Sequence, residues 1–126
     1  MTNDKGPTPS MSDIIVAFAS PLLNPDMEVR QYEAMLKFAA TIWNIVFLPE
    51  EKYAAARKQI LDRFAQGNPR DALAWANTID SLIRSRKEVF GFDNRFLTGV
   101  AVVQRKGRWD VQTDYTIPGE EPEPAP

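Results

Sequence analysis

Apolar positions recur with a helical period up to about residue 90 and with a period of two after it. The first run, Ile14, Ile15, Val16, Phe18, Leu22 and Leu23, predicts a short buried helix from Met11 to about Ser20. Ser10 is its expected N-cap, and Asp13 stands where a capping box places its acid. Pro21 ends the helix, and Asn24-Pro25 turns the chain. A second helix is predicted to start after Asp26 as N-cap. Its buried stripe is Val29, Tyr32, Leu36, Ala39, Ala40, Trp43 and Phe47. Glu33 and Lys37 on the exposed face are spaced as an i,i+4 ion pair. After Lys37 the polar face disappears as far as Leu48, which marks a central core helix. Asn44 interrupts this run, and a buried amide there needs a backbone carbonyl or a loop amide as partner.

Pro49 fits the first position of a third helix, with Glu50 and Glu51 at its positive end. Tyr53, Ala56, Ile60, Leu61 and Phe64 form its buried face, and Gly67 its stop. Asn68 then caps a fourth helix with Pro69 at its first position. Ala72, Trp75, Ala76, Ile79, Leu82, Ile83 and Phe90 share its buried face, and Asp80 and Arg84 are spaced to pair. Beyond Gly91 two strands are expected, Phe96–Arg105 and Arg108–Ile117, joined by the two-residue loop Lys106-Gly107. That loop sets Phe96 opposite Ile117, Thr98 opposite Tyr115, Val100 opposite Thr113, Val102 opposite Val111 and Gln104 opposite Trp109. The fold class is therefore α+β and mostly helical, about four helices followed by a C-terminal antiparallel β-hairpin packed on them.

Residues 11–117 read as a single domain, as expected for a 126-residue chain. Residues 1–10, with Gly6, Pro7 and Pro9, read as a disordered arm, and the Pro/Glu-rich residues 118–126 as a disordered acidic tail. The charge changes meaning with this division. The whole chain is −2, but residues 11–117 hold 14 cations and 13 anions, so the body is close to neutral. The phrase Phe38–Glu51, a core helix and then a proline-started helix, loosely resembles small bacterial proteins, and the resemblance implies no activity.

The chain has no His and no Cys. Imidazole catalysis, thiol nucleophiles, disulfides and thiolate metal sites are thereby excluded. Asp110 and Asp114 share a predicted strand face but stand roughly 13 Å apart, too far for paired-carboxylate work. No glycine-rich phosphate loop occurs, so no catalytic residue, cofactor or metal site is expected. Trp43, Trp75 and Trp109 read as core. No apolar run approaches the ~20 residues of a membrane span, and a cytoplasmic location is expected.

Two binding readings remain. A two-stranded hairpin is marginal alone, and Leu97, Ala101 and Val103 make its outer face rather apolar. These residues point to a protein partner or a homodimer. The second reading is nucleic-acid or polyanion binding by Arg84, Arg86, Lys87, Arg105, Lys106 and Arg108, if helix end and hairpin tip share a face.

Overall fold

The computed structural model describes residues 9–65 and 69–118. Its elements are α1 (Met11–Ala19), α2 (Val29–Trp43), α3 (Tyr53–Ala65), α4 (Pro69–Glu88), β1 (Phe96–Arg105) and β2 (Arg108–Thr116). The mostly helical α+β class is as expected, with the hairpin at the C-terminal end. Gly67 and Asn68, the expected stop and cap between α3 and α4, lie outside the described residues, as does most of the expected arm and tail. Of the expected arm, Pro9 and Ser10 are described. Pro9 accepts a hydrogen bond from Arg95, and Ser10 Oγ accepts one from the Asp13 N–H at 3.0 Å.

Helix boundaries move for local reasons. Asp26 does not cap α2; it lies in a turn in which its N–H donates to Asn24 Oδ1 at 2.8 Å, and Glu28 takes the N-cap position. The helix starts three residues after Asp26, where Gln31 Oε1 accepts from the Glu28 N–H at 3.1 Å. The predicted continuation to Leu48 is α-helical only to Trp43 and then tightens to a 3-10 turn, Asn44–Phe47. Pro49 explains the stop, since the residue before a proline avoids the helical region, and Leu48 is extended at φ −82°, ψ 152°. Pro49 itself precedes a 3-10 turn, Glu50–Lys52, that leads into α3.

The core is built of aromatic groups in separate places. Phe18, Trp43 and Phe90 meet edge to face with ring centroids 5.3–5.8 Å apart where α1, α2 and the end of α4 converge. Phe38, Phe64 and Trp75 join α2 to α3 and α4 at 4.4–5.6 Å. Tyr32 and Trp109 join α2 to the hairpin at 5.0 Å. Trp43 is in the core and Trp75 packs against it, as expected, whereas Trp109 is half-buried on the hairpin and outside the core cluster, and the three form no shared pocket. Ile15, Leu36, Ala39, Ile42 and Ile79 fill the space between the groups and are fully buried.

The hairpin turns on Lys106-Gly107 with φ of 45° and 77°, both in the left-handed region that a two-residue type I′ loop requires. From this end the predicted pairs Gln104–Trp109, Val102–Val111 and Val100–Thr113 are as expected. At the far end they are not. An irregularity between Leu97 and Gly99 leaves Thr98 out of the pairing, so Leu97 faces Tyr115 and Phe96 faces Thr116. One extra residue reverses the facing of everything before it. Gly99 suits the spot, since a Cβ there would stand 3.2 Å from Asp114 Oδ2.

Asn44 is the hinge between helices and hairpin. Its Nδ2 donates to the Leu97 carbonyl and its Oδ1 accepts from the Leu97 N–H, each at 2.8 Å. The side-chain amide thus occupies the place of a neighbouring strand. Asn44→Leu leaves both Leu97 groups without a protein partner, and we expect a loss of about 2 kcal/mol in urea unfolding. An equally stable variant would show that water replaces the amide without loss.

Candidate functional site

The three residues expected to form an apolar outer face divide. Leu97 is a correction: it is only 4% exposed and belongs to the core, because the irregularity at Thr98 turns it inward. Ala101 is exposed and Val103 half-buried, so this part of the outer face keeps small apolar side chains.

The two edges of the hairpin are treated differently. Along β1, Asn44 occupies Leu97, and Glu33 Oε2 accepts from the Val102 N–H at 2.8 Å. That bond and the Lys37 ammonium at 3.4 Å together outweigh partial desolvation and hold the Glu33 carboxyl below the usual range. One side chain of α2 and one of the 3-10 turn after it therefore guard this edge. Between them lies a groove of about 430 Å³ bordered by Lys37, Thr41 and Val100. Along β2, the paired register directs the N–H and C=O of Trp109, Val111 and Thr113 away from β1. Among the described residues no side chain bonds to this backbone; a side-chain hydrogen bond nearby joins Ser12 Oγ and Thr113 Oγ1 at 3.2 Å. A groove of about 470 Å³, bordered by Asp13, Val16, Tyr32 and Val111, runs beside it.

The six cations do not make one surface. Arg105, Lys106 and Arg108 are exposed at the hairpin tip, with Arg105 3.8 Å from Asp110. The tip is separated from the loop after α4 by ten residues of strand, on the order of 30 Å. Arg84 is exposed, but Asp80 is held in a two-point ion pair by Arg57 of α3, at 2.7 and 3.0 Å, and not by Arg84 as expected. Lys87 lies 4.8 Å from the Tyr53 ring centroid. Arg86 is the second correction: it is 2% exposed and points into the protein.

Arg86 is the centre of a buried polar cluster. Its Nε donates to the Trp43 carbonyl at 3.0 Å, Nη1 to Phe90 at 2.6 Å and Nη2 to Asp93 at 2.7 Å. Its guanidinium lies 3.8 Å from the Trp43 ring centroid. Trp43 Nε1 in turn donates to the Arg95 carbonyl at 2.7 Å. Arg95 grips the Asp93 carboxylate through Nη2 at 2.6 Å and Nε at 3.0 Å, and reaches Pro9. Burial lowers the Arg86 pKa, against the field of Asp93. Burial also works to raise Asp93, but hydrogen bonds from the Arg95 side chain and N–H prevail and leave it below the usual carboxyl range. The same pair raises Arg95.

Residue type alone places Arg86 among the surface cations and gives no sign of the cluster that it forms with Asp93 and Arg95. The signal was present in spacing: Arg86 falls seven residues after Ile79 and four after Leu82, on the buried stripe of α4. Among the described residues no three His, Cys, Asp or Glu gather as metal ligands, and no helix is long and apolar enough to cross a membrane.

The depressed Asp93 pKa fixes a pH dependence. The unfolded carboxyl titrates near 4, the folded one lower, so the stabilisation is complete above about pH 4 and is lost as pH falls through the folded value. Acid unfolding should steepen below that point, and Asp93→Asn should be less stable at neutral pH yet lose less on acidification. Parallel stability curves for the two proteins would contradict the assignment. In comparisons with known proteins, the chain matches no protein-family model, no curated protein and no solved structure.

Proposed function

We propose that the protein is a non-catalytic, cytoplasmic interaction protein whose partner is a second copy of itself, joined along β2. The observation that carries this reading is the unequal treatment of the hairpin edges. An open strand edge presents unpaired donors and acceptors to any extended chain, and proteins that avoid such pairing guard the edge. Here Asn44 and Glu33 occupy β1, and no described side chain does the same for β2.

The sequence of β2 also suits pairing with itself. Two copies meeting antiparallel about Val111 set Arg108 opposite Asp114, Trp109 opposite Thr113 and Asp110 opposite Gln112. In this register the residues bonded across the new boundary are Trp109, Val111 and Thr113, whose backbone groups point outward. Centring the pair on Gln112 opposes Asp110 to Asp114, and centring it on Asp110 opposes that carboxylate to itself, both unfavourable. The product is a four-stranded sheet with two-fold symmetry, a stabler object than a two-stranded ribbon.

Sedimentation over a concentration series should show a monomer–dimer equilibrium. A charge swap tests the register. Asp114→Arg places like charges opposite each other twice per dimer and should weaken dimerisation about tenfold or more, while adding Arg108→Asp should restore it. A chain that stays monomeric at every concentration, or a swap that restores nothing, rejects the reading.

A further inference from the structure

Arg86 is a buried cation without a counterion. Its three described partners are backbone carbonyls, and among the described residues no carboxylate lies within ion-pair distance of it. The nearest acid in the cluster, Asp93, is committed to Arg95 at 2.6 Å. Two guanidinium groups and one carboxylate leave the buried cluster with an excess of one positive charge. An uncompensated charge in a protein interior is costly, and stacking on Trp43 offsets only part of that cost.

The guanidinium is also incompletely bonded. It has five N–H groups, and the three carbonyls take one on each nitrogen. One on Nη1 and one on Nη2 remain without a partner among the described residues. Arg86 also borders a cavity of about 320 Å³, whose other walls include Val46, Phe47, Lys87, Asp93 and Asn94. A surplus positive charge, a pair of unmet donors and an adjoining cavity together suit an anion.

We propose that this cavity binds a carboxylate, its oxygens on the two free N–H groups of Arg86 and its organic body against Val46 and Phe47. A single negative charge balances the cluster, and two oxygens match two donors. The apolar walls favour an organic acid over inorganic phosphate. A carboxylate has two sources, a free organic acid or a glutamate of the chain's own acidic segment, Glu120, Glu121 and Glu123.

The test titrates the full chain with benzoate while following the Arg86 Nε–H resonance by NMR. Benzoate should shift that resonance with a Kd of about 1 mM or below. Val46→Phe fills the cavity without touching the guanidinium bonds and should weaken binding at least about tenfold. The variant E120Q/E121Q/E123Q separates the sources. Equal benzoate binding by wild type and variant assigns the site to an external acid, and binding by the variant alone assigns it to the chain's own glutamates. Three results overturn the proposal: no shift in either protein, undiminished binding by Val46→Phe, or a response to inorganic phosphate without one to benzoate.

Discussion

One guanidinium holds the junction on which the rest of the molecule depends. Arg86 binds the carbonyls of Trp43, Phe90 and Asp93, so the end of α2, the end of α4 and the loop that follows meet at a single side chain. Trp43 passes the constraint onward through its indole N–H to Arg95, the residue before β1. Arg95 closes the circuit through Asp93 and Pro9, next to the cap of α1. The buried charge is met by three backbone carbonyls and by the face of the Trp43 ring. The hydrophobic groups around Phe18 and Phe38 supply the bulk of the burial, while the polar cluster decides how the elements are oriented.

The hairpin depends on that junction and on a second device. Two strands alone are marginal. Side chains from α2 and the turn after it act as a third partial strand for β1, with Asn44 bonding at one end and Glu33 near the middle. Among the described residues the sheet edge is therefore capped along β1 and left uncapped along β2. An asymmetric ribbon of this kind directs any further pairing to β2.

The helices and the hairpin were legible because period and punctuation agree: Pro21, Pro49 and Pro69 mark breaks, and the switch from a period of 3.6 to 2 falls between Phe90 and Phe96. The pairs near the loop were fixed by loop length alone. The pairs beyond Thr98 were not, because an unpaired residue is chosen by what it permits elsewhere. It turns Leu97 into the core, and that gain is invisible to the strand's own alternation. Asn44 was legible as a residue that needed a partner, though which one depended on tertiary packing. Arg86 was not legible as buried from its residue type, because a charged side chain on a buried stripe reads as exposed unless its spacing is followed.

Arg86 recognises its neighbours by backbone oxygen, and this has a consequence for how the segment from Phe90 to Asp93 can vary. A carbonyl is common to every amino acid, so these bonds impose no identity on the residues that supply them. They impose a count. Phe90 and Asp93 lie four and seven residues after Arg86, and their oxygens reach it only if the loop keeps its length. These bonds are therefore indifferent to substitution and sensitive to insertion or deletion, while the Phe90 ring and the Asp93 carboxylate are held by contacts of their own. The arginine acts as a ruler of chain length, set between the helical part of the protein and its sheet.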